Sequence, residues 1–204
     1  MKILCVGRNY REHASELGND VPAEPLFFSK PSTALLPGGG TVPYPTFTRE
    51  LHFETELVLR IGTAGQRIDE AAAENYIEGI GIGLDLTARD VQRSLKEKGH
   101  PWTKAKGFDR SAPVSEDFME LSAIPDLGNL EFGADKNGRT AQEGNSGDMI
   151  FPFATLLAHI SRYMTLQKGD LIFTGTPSGV GPLDVGDHLN CWIGRRSFLD
   201  ISIE

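Results

Sequence analysis

Residues 50–62, ELHFETELVLRIG, alternate with a period of two, the repeat of a β-strand. Leu51, Phe53, Leu57, Leu59 and Ile61 fall on one side, interrupted only by Thr55. His52, Glu54 and Glu56 fall on the other, so one face carries two neighbouring carboxylates beside an imidazole. A solvated E-x-E face is common and needs no partner. In a partly buried setting, carboxylates roughly 6–7 Å apart repel by about 2–3 kcal/mol at an effective dielectric near 20. Such a pair needs a counter-charge, or one member takes up a proton.

A second strand-like run, IEGIGIGLDL, spaces glycines at 79, 81 and 83, leaving a bare face that another backbone or a ligand can approach. It leads into TARDVQRSLKEKG, where Thr87 followed by Asp90 predicts a capped helix start and Gly99 a helix end. Asp85 therefore sits at the end of a strand, just before a helix. KILCV reads as a strand, NYREHASELG as a short helix closed by Gly18, and residues 69–75 as a further helix. Asn137-Gly138 between strand-like runs predicts a type I′ hairpin. PFATLLAHISRYMTL is an amphipathic helix with Pro152 near its start, and two strands close the chain. With 23 glycines and 12 prolines punctuating short strands, the expected fold class is α+β, mainly β. We expect one domain over residues 1–204, with residues 1–45 as a candidate small N-terminal lobe.

A formal charge of −8 argues against nucleic acid or an anionic membrane as partner, though not against a small anionic substrate held by local charge. MKILCVG is too short an apolar run for a signal peptide, and no stretch approaches the ~18 residues of a membrane span. Cys5 and Cys191 form no disulfide framework, so the expected location is cytoplasmic.

Several residues have the types that chemistry needs. Asp85 offers a third oxygen ligand beside Glu54 and Glu56, and three carboxylates suit Mg²⁺ or Mn²⁺ better than zinc. A rival set joins His52 and Glu54 with His100, His159 or His188 as a two-histidine, one-carboxylate iron site. His13 and Glu16, at i and i+3, share a helix face, either as a solvated pair or as a base with its orienting carboxylate. Lys30 and Lys106 lie in aromatic, proline-containing loops, as snorkelling surface residues or as cations for an oxyanion. FTGTPSGVGP lacks the ending of a phosphate loop, but its N–H groups and the Thr176 hydroxyl can face an anion.

The ordered segments VGRNYREHASE, FFSKPSTA, HFETELVLRIG, GLDLTARDVQ, PWTKAKGFDRSAPV, QEGNSGDMIF and KGDLIFTGTPSGVGPL resemble the fumarylacetoacetate hydrolase family, especially its short acylpyruvase-like branch. The resemblance covers residues 3 to about 183. It implies a mixed β-sandwich roll with a few short helices, and a homodimer. It makes Glu54, Glu56 and Asp85 ligands of Mg²⁺, with Mn²⁺ as the alternative, and His13–Glu16 the dyad that activates water. It places Lys106, Gln92, Thr176 and Arg8 at the substrate, and gives Lys30 no direct role. The implied activity is hydrolysis of a C–C bond in a short 2,4-dioxo acid, an acylpyruvate or fumarylpyruvate, with a pyruvate enolate leaving. Alternatives are oxaloacetate decarboxylation or keto–enol tautomerisation, isomerisation of a ring-opened dienedioate of aromatic catabolism, and a catalytically silent ligand-binding member of the fold.

Overall fold

A computed structural model describes residues 1–16, 18 and 20–204. In chain order the first elements are β1 (Ile3–Gly7), α1 (Arg11–Glu16), β2 (Leu26–Lys30), β3 (Leu35–Pro37), β4 (Gly40–Val42), β5 (Leu51–Phe53) and β6 (Thr55–Ile61). Then come β7 (Ile77–Leu84), β8 (Thr87–Ala88), α2 (Arg89–Glu97), α3 (Thr103–Lys106) and β9 (Ala112–Val114). The hairpin β10 (Glu131–Lys136) and β11 (Arg139–Asn145) precedes α4 (Phe153–Ser161). β12 (Leu171–Phe173), β13 (Gly181–Leu183), β14 (His188–Ile193) and β15 (Arg196–Ile203) complete the chain.

The strands form a seven-stranded mixed sheet in the order β2-β1-β12-β6-β7-β9-β3, and a five-stranded sheet in the order β11-β10-β14-β15-β4. A three-stranded sheet, β13-β5-β8, stands beside them. The large sheet packs its β6–β7 centre against β10, β14 and β15 of the second. This is the α+β, mainly β fold expected, with few and short helices. β1 lies between β2 and β12, and β4 edges the five-stranded sheet beside β15, so the strands of residues 1–45 belong to the main sheets.

The run 50–62 is not one strand. β5 pairs with β13 and β8, whereas β6 lies between β12 and β7. The break falls at Glu54. The Thr55 N–H donates to the Gln142 side chain (2.9 Å), and the Glu54 carbonyl accepts from the Asp85 N–H (2.9 Å). Alternation survives within β6, but neither face looks at water except at Arg60, which pairs with Glu78 at the surface. Leu57, Leu59 and Ile61 join Ile80, Ile82, Leu84, Phe132 and Ile201 between the two large sheets, each fully buried aliphatic chain contributing about 1.5–3 kcal/mol. Val58 faces a second core with Ile3, Cys5, Val114 and Phe173. Glu54 and Glu56 share the parity of Val58, so their side is interior as well.

The bare face of β7 is used for close approach. A Cβ on Gly79 would meet the Met119 carbonyl oxygen at 2.8 Å, and one on Gly83 the Pro113 carbonyl oxygen at 2.9 Å. At the Asn137-Gly138 turn both residues have positive φ (53° and 76°), as a type I′ hairpin needs. Residues 70–76 form a 3₁₀ helix capped by Asp69. Gly18 takes φ 63°, while Leu17, inside the expected first helix, lies outside the described residues, as does Asn19.

The expected capping box of α2 does not form. Its N-cap is Ala88, and no side chain caps it. The Thr87 hydroxyl instead donates to the Asp85 carbonyl (3.0 Å), fixing the turn that carries Asp85. Asp90 accepts from the Thr48 hydroxyl and from the Arg49 and Val91 N–H groups, tying the helix start to the loop before β5. Among the described residues no helix is long and apolar enough to cross a membrane.

Candidate active site

The break after β5 and the end of β7 bring three carboxylates together. Glu54, Glu56 and Asp85, each no more than 5 % exposed, offer ligand oxygens within 4.8 Å of one another. Three buried cations surround them. Lys106, from α3, donates to Glu54 Oε2 (2.7 Å) and Asp85 Oδ2 (2.6 Å). Arg89, at the start of α2, donates to Glu54 Oε1 (2.5 Å) and to Gln92 Oε1 (2.7 Å). Lys30, at the end of β2, lies 2.7 Å from Asp85 Oδ1. Its hydrogen bonds go to Ser111 O (2.7 Å), Ser111 Oγ (3.1 Å) and Leu86 O (3.3 Å), so it neutralises Asp85 without a hydrogen bond to that oxygen.

Glu56 is the carboxylate left over. Its Oε2 accepts the Gly175 N–H (2.8 Å), but among the described residues no Lys or Arg pairs with it. Burial, Asp85 and Glu54 push its carboxyl well above the usual range. Burial works the same way on Glu54, yet the charges of Lys106, Arg89 and His13 outweigh it and hold Glu54 well below that range. Burial would lower Lys106, and Asp85 and Glu54 raise it instead. Three hard oxygen donors with one uncompensated carboxylate fit a divalent cation such as Mg²⁺ or Mn²⁺. Lys106 shares two of its three ligands.

A cavity of about 40 Å³ opens onto this cluster, room for a water molecule or two. Arg8, His13, Glu54, Glu56, Asp85, Gln92, Lys106 and Thr176, all expected at the site, line it together with Arg89 and Lys96. Glu16 stands behind the wall: its Oε2 is 3.3 Å from His13 Nδ1, and its Oε1 accepts the Gly179 N–H (3.3 Å). Both members of the dyad lie on α1, and Gly179 ties it to the loop that follows β12.

Two expectations change. The Gly/Thr loop was expected to hold a substrate anion, but the Gly175 N–H serves Glu56 and the Thr176 hydroxyl proton goes to the Thr55 carbonyl (2.9 Å). Thr176 Oγ also accepts from Gln142 (2.7 Å), leaving its oxygen only as an acceptor towards the cavity. The rival iron set does not assemble. His159 packs against Phe27 and Tyr163, His188 meets Asp200 (2.6 Å), and His52 is no part of the cluster.

A family model described as fumarylacetoacetate (FAA) hydrolase, C-terminal, matches residues 2–204. The chain belongs to the fumarylacetoacetate hydrolase family. It is 46 % identical over 191 residues to the mitochondrial oxaloacetate tautomerase FAHD1 of Bos taurus, covering 94 % of this chain and 86 % of the relative. It is also 46 % identical over 193 residues to a mitochondrial oxaloacetate decarboxylase of Dictyostelium discoideum, covering 94 % and 88 %. Among solved structures, fumarylpyruvate hydrolase from Pseudomonas aeruginosa, in complex with Mn²⁺ and pyruvate, superposes with a TM-score of 0.92. It is 35 % identical, and the match covers 100 % of this chain and 90 % of that one. Two of these relatives are named as mitochondrial, which does not fit a purely cytoplasmic expectation.

Within this family fold, sequence reasoning missed Arg89, Gln142 and the role of Lys30. A signal for Arg89 existed. The buried residues of α2 are Arg89 and Gln92, so this helix docks by polar contacts rather than by an apolar stripe. Lys30 and Gln142 gave none, because their partners lie 34 and more residues away in sequence.

Proposed function

We propose that this chain is a divalent-cation-dependent enzyme that moves a proton at the carbon beside the oxo group of a small 2-oxo acid dianion, interconverting the keto and enol forms of oxaloacetate. One observation carries the reading: the carboxylate cluster and the His13 imidazole line the same cavity. The tautomerase and decarboxylase named among the relatives support it. Charge supports it too. Glu54, Glu56 and Asp85 balance Lys30, Arg89 and Lys106, so a bound divalent cation leaves an excess of two positive charges, which a dianion offsets.

Glu54, Glu56 and Asp85 would hold the Mg²⁺ or Mn²⁺, which when bound polarises the 2-oxo group and acidifies the neighbouring C–H. Glu16, at Nδ1 of His13, fixes the tautomer with the proton on that nitrogen, leaving the Nε2 lone pair as the base. His13 takes a proton from C3 at Nε2 and returns it at the 2-oxo oxygen to give the enol; the reverse path restores the ketone. Lys106 offers its ammonium to the oxygen on which negative charge develops, held there by Glu54 and Asp85. Gln92, oriented by Arg89, contributes a polar wall.

Hydrolysis of an acylpyruvate is the second reading, favoured by the likeness to fumarylpyruvate hydrolase. There His13 would deprotonate water for attack on the C4 carbonyl, and the C3–C4 bond would break to give pyruvate and a carboxylic acid.

The test is Mg²⁺-dependent loss of enol-oxaloacetate absorbance, run beside carbon dioxide release and acetylpyruvate hydrolysis. The proposal expects oxaloacetate tautomerisation to have the highest kcat/KM and His13→Ala to lower it by about 10²–10⁴-fold. Preferred hydrolysis of acetylpyruvate would replace it with the second reading. Tautomerisation that survives His13→Ala with little loss would remove the base.

A further inference from the structure

The Glu56 carboxylate is held by a peptide group, and that peptide group is itself held from behind. Its donor, the Gly175 N–H, shares one trans peptide plane with the Thr174 carbonyl, so the two point in opposite directions. The Thr174 carbonyl accepts from Asn9 Nδ2 (2.8 Å). A chain of hydrogen bonds therefore runs from the Asn9 amide through the 174–175 peptide to Glu56 Oε2, each bond polarising the next. Asn9 is fully buried between β1 and α1, ahead of His13. Its Oδ1 accepts the Phe151 N–H (2.8 Å), and its Nδ2 also donates to the Phe151 carbonyl (3.0 Å). These partners decide which end of the amide is which, and so which atom faces Thr174.

We propose that Asn9 is a positioning residue of the metal site, holding the Thr174–Gly175 peptide in the orientation that presents Glu56 to a divalent cation. The inference rests on the proposed function, because it takes Glu56 as a metal ligand. Thr174 is tied to β6, its N–H and its hydroxyl both donating to the Leu57 carbonyl (3.1 and 2.9 Å). Gly175 has φ 100°, and a Cβ there would meet the Asn9 Cβ at 2.6 Å. The close approach requires glycine, yet glycine also leaves the plane between the two residues free to turn. With Thr174 anchored, the Asn9 donor selects the orientation that aims the N–H at Glu56. Without it the peptide can turn away, and the carboxylate loses the hydrogen bond that orients it. The Asn9 carbonyl also accepts the Ile150 N–H (2.8 Å), fixing the entry to α1, so the ligand and the dyad share one reference point. Groups that orient a metal ligand typically account for about 10–100-fold in metal affinity.

The experiment is a calorimetric titration of the metal-free protein with Mg²⁺, paired with amide hydrogen exchange at Gly175. Asn9→Ala should weaken Mg²⁺ binding by about tenfold or more and speed Gly175 exchange. Ser161→Ala controls for the loss of buried hydrogen bonds as such. At the end of α4, the buried Ser161 hydroxyl donates to the Ala158 carbonyl (3.0 Å) and accepts the Ile68 N–H (2.9 Å). Its removal should leave Mg²⁺ affinity within about twofold of the wild type. An Asn9→Ala protein that binds Mg²⁺ as the wild type does, or an equal loss in Ser161→Ala, overturns the role of Asn9. Where Asn9→Ala does not fold, Asn9→Ser is read in the same way. Fast Gly175 exchange in the metal-free wild type refutes the arrangement without any variant. A wild type that binds no Mg²⁺ overturns the proposed function, whereas Mg²⁺ binding that Asn9→Ala leaves unchanged overturns only the part given to Asn9.

Discussion

Lys30→Met isolates a contact whose worth follows from the structure. The Lys30 side chain is fully buried, and its Nζ serves two carbonyls, one hydroxyl and the Asp85 carboxylate. Methionine has a similar length and fills the same slot, so packing changes little and the loss is polar. Ser111 O and Leu86 O each lose a donor in a buried setting, and Asp85 keeps only Lys106 as a cationic partner. Removing one member of a buried pair costs about 3–5 kcal/mol, much of it from the charge left behind. For a chain of this size, with a urea m-value of about 2–3 kcal/mol/M, the midpoint should fall by roughly 1–2 M. The assay is urea unfolding followed by circular dichroism in the presence of a chelator, so that metal binding does not enter. Asp85→Asn and the double variant complete the cycle, with an expected coupling of about 2 kcal/mol or more. A loss under about 1 kcal/mol for Lys30→Met, or additivity within about 0.5 kcal/mol, would falsify the assignment of Lys30 as the counter-charge of Asp85.

Glu56→Gln removes the one carboxylate without a cationic partner: metal-free stability should hold or rise slightly, while calorimetric Mg²⁺ binding should weaken at least tenfold, and unchanged binding rejects the metal assignment. Glu16→Gln should lower kcat by about tenfold or more with little change in KM, since the carboxylate orients His13 rather than touching substrate; a KM effect alone would move Glu16 into the binding surface. Burial is the largest single influence on the Asp187 carboxyl and raises it, but hydrogen bonds from Lys136, the Asp184 N–H and Asn137, with the charge of Lys136, together outweigh it and hold it below the usual range. Its contribution is therefore present above the unfolded value near 4 and disappears as pH falls through the lower folded value. Asp187→Asn should lower the midpoint of thermal unfolding at neutral pH and converge with the wild type under strongly acid conditions, and a constant difference at all pH values would refute this.

What was legible in the chain was whatever local chemistry decides. Asn137-Gly138 predicted its turn because two adjacent residues with positive φ suffice for it. The glycines of β7 predicted close backbone approach, and residues 113–119 supply it. Period-two alternation found β6 but ran through Glu54 into β5, because the break depends on Gln142 reaching Thr55 from 87 residues away. Thr87 and Asp90 had the spacing of a capping box, but each side chain had a competing backbone or long-range partner. Local pattern therefore singled out the carboxylates, and the resemblance made them a set, but neither showed the turn that aims them.

The same distinction explains why the carboxylates and Lys106 were named as candidates while Arg89 was not and Lys30 was given no direct role. Two glutamates on one strand face are a local anomaly, visible as soon as the strand is recognised. A lysine or arginine in a loop or on a helix is ordinary until the fold buries it, and Lys30, Arg89 and Lys106 arrive from three separate elements. Their arrival changes what the anomaly means. Three carboxylates alone would make the folded state depend on a metal, as in sites whose ligands cannot assemble without one. With three buried cations in place the formal charges of the cluster balance, but all three cations pair with Glu54 and Asp85 and none with Glu56. Folding and cation binding are thereby separated. The frame is set by ion pairs on Glu54 and Asp85, and the remaining carboxylate supplies the attraction for the divalent ion.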